Sequence, residues 1–175
     1  MSTNLQFISQ TATSSNVASV DVDNVFSDNY DVYFFTINNI LSADSNEDVL
    51  GIRMLNTSGT ADSGSNYDRA LLVMYTYQTY AEANSEGITY MNTINIGDSS
   101  ESPSALSGYL FNPYDSSSYT FNTFQSSTER NSGNETRKGI NVHTVAQANR
   151  GYQIVNSASN NFESGLTITT YGVKG

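Results

Sequence analysis

The chain has 175 residues, enough for one domain with a substantial core, and a formal net charge of −10 from 7 Lys+Arg against 17 Asp+Glu. That balance excludes a surface that tracks phosphates, because nucleic-acid binding needs clustered cations to displace counterions. The absence of cysteine excludes both a disulfide framework and a thiolate metal site, which leaves packing to hold the fold.

The first element expected is a strand over Asn4–Thr13, followed by a second over Asn16–Val22 after the turn-prone Ser14-Ser15. Tyr30–Leu41 is the strand around which the rest is organised. Its residues Tyr30, Val32, Phe34, Thr36, Asn38 and Ile40 share one face, and Asp31, Tyr33, Phe35, Ile37, Asn39 and Leu41 share the other. Both faces are apolar at the middle, which predicts a central strand covered on both sides by a second layer or a partner subunit. Asp48–Asn56 carries Val49, Ile52 and Leu55, and a polar loop follows over Thr57–Asn66. Tyr67–Tyr80 reads as a second long strand. Ala81–Gly87 suits a short helical turn but has too little apolar periodicity for a stable helix. Gly87–Ile96 predicts a half-exposed strand, and Gly97–Ser104 a loop. Ser107–Phe111 and Ser118–Gln125 form an antiparallel pair around the turn Asn112-Pro113-Tyr114-Asp115. Thr128–Thr136 reads as the most polar loop. Further strands are expected through Arg137–Thr144, Tyr152–Val155 and Leu166–Tyr171.

About nine to eleven short strands at sandwich spacing, without a convincing helix, predict an all-β chain: a single jelly-roll-like antiparallel β-sandwich domain over residues 1–175. No basic start or apolar run of secretory length follows Met1, so synthesis in a cytoplasm without a leader is expected. No stretch reaches the ~18 apolar residues of a membrane span.

The residues that could carry chemistry do not assemble into a catalytic pattern. His143 is the only histidine. It lies in a strand pattern with no G-x-S-x-G elbow to supply a nucleophile, and it reads as a surface or interface residue. One His without Cys does not make a zinc or copper site. Asp21 with Asp23, or Glu47 with Asp48, could pair carboxylates, but glycosidase carboxylates flank a cleft from separate elements. Calcium is a better use of such oxygens, although the Asp-x-Asp-x-Asp-Gly loop is missing. No catalytic residue, cofactor or metal is therefore expected.

Twelve tyrosines and eight phenylalanines without tryptophan give the chain its most distinctive composition. Phe34, Phe35, Leu71, Val73 and Ile94 are expected in the core. Tyr75, Tyr77, Tyr80, Tyr109 and Tyr114 are the expected interface or glycan contacts, because a tyrosine ring buries area while its hydroxyl stays hydrogen-bonded. A sugar-binding use would add Asn and Asp side chains from the loops Ser58–Asn66, Gly97–Ser104 and Thr128–Thr136.

Several segments bear on a family. V-A-S-V-D-V at Val17–Val22, F-S-D-N-Y-D-V-Y at Phe26–Tyr33 and the following F-T-I-N-N-I are joined by Y-L-F-N-P-Y at Tyr109–Tyr114 and S-S-S-Y-T-F at Ser116–Phe121. R-K-G at Arg137–Gly139 and L-T-I-T-T-Y-G at Leu166–Gly172 complete the set. In this order the chain resembles small virion structural proteins of tailed phages, notably those infecting marine cyanobacteria. The resemblance implies a β-sandwich on a virion, with no active site to transfer. A head decoration or knob-like accessory protein is expected, made in the host cytoplasm, with a trimer among the expected states and other virion proteins as partners. The alternative is a tail-fibre or tail-tip receptor-binding module that holds a host-surface glycan.

Overall fold

Strands with one apolar face must lay that face against a second layer, and alternation along this chain therefore sets most of its architecture. The computed structural model describes residues 4–44, 48–130 and 133–174. Its strands are β1 (Leu5–Ala12), β2 (Ser19–Val22), β3 (Val32–Ile40), β4 (Asp48–Asn56), β5 (Tyr67–Tyr75), β6 (Ala81–Ile88), β7 (Met91–Ile96), β8 (Ser104–Phe111), β9 (Thr120–Arg130), β10 (Gly133–His143), β11 (Asn149–Asn156) and β12 (Thr167–Val173). The described residues form no helix. Two antiparallel sheets pack together, eight strands in the order β1-β12-β3-β8-β9-β10-β5-β6 and four in the order β2-β11-β4-β7. The chain is a single-domain β-sandwich.

The core lies between the sheets. Tyr33, Phe35, Ile37, Leu71, Val73, Leu106, Leu110, Phe124 and Ile168 from the larger sheet meet Val20, Val22, Leu50, Ile52, Met54, Met91, Ile94 and Tyr152 from the smaller. Phe35, Tyr152 and Phe26 form a chain of ring contacts across it, at 5.9 and 5.8 Å between centroids. Gly108 sits where β8 passes beneath Phe35. A Cβ there would lie 2.5 Å from the Thr123 carbonyl oxygen and 2.9 Å from the Phe35 ring, so the close approach requires glycine.

β3 does run through the interior of a sheet, between β12 and β8, but only one of its faces is covered. Tyr33, Phe35 and Ile37 are buried, whereas Phe34 points out of the sandwich and is half-buried by neighbours on its own sheet. The expectation that Phe34 is core is corrected accordingly. The strict alternation also breaks near its end. Asn39 adopts φ 56° where the β3–β8 register shifts between Ile37 and Ile40, and this irregularity turns Ile40 inward to full burial.

Other elements differ from the sequence reading for identifiable reasons. Ala81–Ile88 is an edge strand paired with β5, because tertiary pairing supplies the hydrogen bonds that a weakly helical segment could not retain alone. β7 is almost wholly buried rather than half-exposed, because it faces β9, β10 and β5 across the sandwich. The polar stretch from Thr128 is no loop: β9 and β10 pair to the end of the hairpin, Arg130 opposite Gly133, with Asn131 and Ser132 outside the described residues. Its Ser, Thr and Asn side chains hide a strand from any hydrophobic pattern.

Candidate functional site

Most polar side chains on the inner face find partners within the fold, with Asn141 Oδ1 and His143 Nδ1 among the exceptions. His143 is fully buried, which corrects its expected surface position. It lies opposite Tyr67 on the neighbouring strand, their rings stacked at 4.9 Å. The imidazole Nε2–H donates to Asp62 Oδ2 at 2.8 Å, and Nδ1 has no partner. Burial holds the imidazole below its ordinary range, with the bond to Asp62 opposing that shift. Burial alone would raise Asp62, but hydrogen bonds from His143, Asn66 and Gly64 outweigh it and hold the carboxylate below its usual value. No described nucleophile is hydrogen-bonded to this His, and no solvent reaches it. Its role in the fold is structural.

The carboxylates are likewise occupied. Glu135 is buried and accepts from Arg130 at 3.0 Å, from Arg137 and from Asn95. Asp48 is buried and accepts from Ser42, Asn156 and Asn160 at 2.9, 2.9 and 3.0 Å. Its sequence neighbour Glu47 lies outside the described residues. Asp21 and Asp23 do share a face, but each meets β11: Asp21 accepts from Gln153 at 2.8 Å, and Asp23 pairs with Arg150. Asp21 and Asp23 thus come from one stretch of chain and do not face each other across a cleft. Among the described residues, no group of three or more His, Asp and Glu is placed to hold a metal ion.

The expected loop sites also spend their side chains on their own backbone. In the Ser58–Asn66 loop, Asp62 Oδ1 accepts from the Gly64 amide at 2.8 Å. Hydrogen bonds from the Ser100 hydroxyl and amide hold Asp98 below the usual carboxylate range.

What remains open is the outer face of the eight-stranded sheet. Register shifts in the β1–β12, β3–β8 and β5–β6 pairs leave long paired stretches whose side chains form rows perpendicular to the strands. One row runs Phe7, Tyr171, Phe34, Tyr109, Thr123, Ile140, Ala70, Asn84. Its aromatic half is a chain of ring contacts at 6.0, 6.1 and 5.1 Å, with Phe7 57% and Tyr109 41% exposed. A parallel row, two residues along each strand and three along β1 where a bulge intervenes, is almost entirely hydrogen-bonding. It runs Gln10, Thr169, Thr36, Ser107, Gln125, Lys138, Leu72, Glu82.

The face is hollowed along these rows. A depression of about 880 Å³ lies over Ala70, Leu72, Gln125, Lys138 and Ile140, and one of about 520 Å³ over Asp68, Ala70, Asn84, Ile140 and Val142. A third, of about 300 Å³, lies over Thr36, Asn38, Ser107, Gln125 and Ser127. Shared side chains join them, Ala70, Asn84 and Ile140 between the first two and Gln125 between the first and third. They form one open trough from β6 to β3. Five inter-strand gaps of ~4.8 Å make it roughly 24 Å long.

The five tyrosines singled out from the sequence fall in three places. Tyr109 stands in the aromatic row. Tyr75 ends β5 half-buried, 5.2 Å from Tyr77, and Tyr77 and Tyr80 are exposed at the β5–β6 connection. Tyr114 is exposed in the β8–β9 turn, beside a small hollow lined by Ser27, Tyr30 and Asp31. Sequence reasoning missed Phe7, Phe34 and Tyr171 as surface residues. Their shared outward parity with Tyr109 was visible strand by strand, but only the register places them side by side.

No family model and no curated protein matches the chain. Among solved structures it is similar to a family 7 alginate lyase A1-II' in complex with substrate, at 10% identity and TM-score 0.28, over 81% of this chain and 58% of that one. It is also similar to a fructofuranosidase from Schwanniomyces occidentalis complexed with fructosylnystose, at 6% identity and TM-score 0.21, over 98% of this chain and 35% of that one. The chain thus spans less than two thirds of either structure, and at these scores the likenesses carry no weight for function.

Proposed function

We propose that this chain is a non-enzymatic structural protein of a virion surface, a head-decoration or knob-like accessory protein that works by contact through the outer face of its eight-stranded sheet. The observation that carries the reading is that open face: an aromatic row exposed on a sandwich whose core is complete without it. The resemblance to phage virion proteins supplies the setting, and the all-β fold agrees with it. Other copies of the chain, in a trimer, and neighbouring virion proteins are the partners that would cover the aromatic end. A role without chemistry is supported by the burial of His143 and by the internal bonds of Asp21, Asp23, Asp48, Asp62 and Glu135.

Electron microscopy of particles labelled with a gold-tagged antibody against the chain tests the reading. Gold on the heads is expected. Purified particles without gold would overturn a virion role. Gold on the tail would favour the second reading, a receptor-binding tip that holds a host-surface glycan, to which the hollowed trough lends support. Incubation of pure protein with polysaccharide is expected to leave chain length unchanged, and any shortening would overturn the non-enzymatic role.

A further inference from the structure

We infer that a hollow at the β6–β7 crossing is a binding site for a carboxylate, held by the guanidinium of Arg69 and the side-chain amide of Asn92. It is separate from the aromatic row and from the contact role of the outer face.

The hollow, of about 300 Å³, is lined by Arg69, Ile88, Thr89, Tyr90 and Asn92. Local structure fixes its walls. Arg69 shares the inward parity of Tyr67 and Leu71 on β5, and β6 pairs with that strand before Thr89 and Tyr90 carry the chain to β7 in the smaller sheet. Tyr90 is seated over Gly51, where a Cβ would come within 2.6 Å of its ring. The β4–β7 register shifts between Leu50 and Gly51, which sets Asn92 opposite Gly51 and leaves it only 7% exposed.

Hydrogen bonding and charge both call for an anion there. The Nε of Arg69 is buried without a partner, and its guanidinium forms no hydrogen bond or ion pair with any described residue. A polar group buried in that way is costly, and a charged one more so, unless something completes it. Asn92 Oδ1 accepts from Arg137 at 3.4 Å, which leaves its amide nitrogen, a pure donor, for the hollow that Asn92 lines. Arg53 stands beside the same wall, its Nε donating to the Thr89 carbonyl at 3.1 Å. Arg137 is paired with Glu135, whereas neither Arg53 nor Arg69 meets a described carboxylate. Asp68 and Glu86 share the adjoining outer hollow with Arg69, but Asp68 accepts from the Gly87 amide at 2.9 Å and neither acid pairs with the guanidinium.

A planar carboxylate matches this donor set. The guanidinium offers it two parallel N–H bonds and the Asn92 amide a third. The volume admits a small acid or the end of a polypeptide, and both present the same group.

Nuclear magnetic resonance of the full chain tests the site through the Arg69 Nε–Hε and Asn92 amide signals, with ionic strength held constant by sodium chloride. Sodium acetate is expected to move both signals to saturation. N-acetyl-diglycine binding at least tenfold more tightly than acetate would identify a polypeptide terminus as the source, and equal or weaker binding a free acid; its C-terminal amide should move neither signal. Arg69→Gln should abolish the response of the Asn92 signal while melting at or above the parent temperature, because no described residue leans on that guanidinium for a bond. Asn92→Asp supplies the carboxylate from within, and should abolish the acetate response and raise the thermal midpoint. A lowered midpoint with the acetate response intact, or an Asn92 signal that still responds in Arg69→Gln, would overturn the site. Signals moved by inorganic phosphate and not by acetate would overturn the carboxylate assignment, and signals that no anion moves would overturn the inference outright.

Discussion

The two faces of the eight-stranded sheet are built from the same strands with opposite chemistry. Phe34 and Phe35 are adjacent in sequence, and in the fold one looks outward along a row of exposed rings while the other is sealed against Tyr152 and Gly108. On the inner face even the polar groups are stapled, Glu135 by two arginines and His143 by Asp62. On the outer face the hydroxyls and amides of Ser107, Gln125 and Thr36 line an open hollow. A sheet therefore needs only one face to fold, and the other is free to be shaped by what it touches.

Removing side chains from each face should separate the two roles by size of effect. Phe35→Ala leaves a cavity in a fully packed core and is expected to cost about 3–5 kcal/mol in urea melts. Glu135→Ala should fall in the same range, about 3–5 kcal/mol, because it strands buried Arg137 without its partner. Gly108→Ala is expected to cost about 1–3 kcal/mol, since the new methyl must displace the Phe35 ring or the β9 backbone. Phe34→Ala, removing a half-buried ring, should cost about 1 kcal/mol. Lys138→Ala on the same face should stay within about 0.5 kcal/mol. If Phe34→Ala proved as costly as Phe35→Ala, the contrast between the faces would be lost.

Acid offers a further test, smaller in amplitude and specific to the inner face. Burial disfavours the cation of His143 more than Asp62 favours it, so the folded state binds that proton more weakly than the unfolded chain does. The resulting stability is fully present above the ordinary histidine value of 6.5 and declines as pH falls through it, until the buried ring is protonated as well. Asp62, held below its ordinary value, adds a second loss at lower pH. His143→Gln should flatten the difference between melts at about pH 7.5 and about pH 5. An unchanged pH dependence in the variant would show that His143 is not the group responsible.

Much of the fold was legible from alternation. Strands β1, β3, β5, β8, β9 and β12 follow period-2 patterns whose apolar half is large, and the turn at Asn112-Pro113 joins β8 and β9 as its residues require. The misses share a physical cause. β6 and the β9–β10 hairpin tip consist of small polar residues, for which pairing with neighbours outweighs any local preference. His143 looked exposed because a lone polar residue in a strand usually is, and only the loop that brings Asp62 against it makes burial affordable.

Composition and period thus determined that this chain folds as an all-β sandwich, held without disulfides and with a net charge of −10. Neither could decide which face of β3 would be covered, because both are apolar at its centre. Strand order decided that. By placing β12, β3, β8, β9, β10 and β5 side by side in register, the tertiary structure turned scattered outward residues into two parallel rows and a trough. Alternation is a property of one strand, whereas a continuous outward face is a property of several, and that is why it emerged only with the fold.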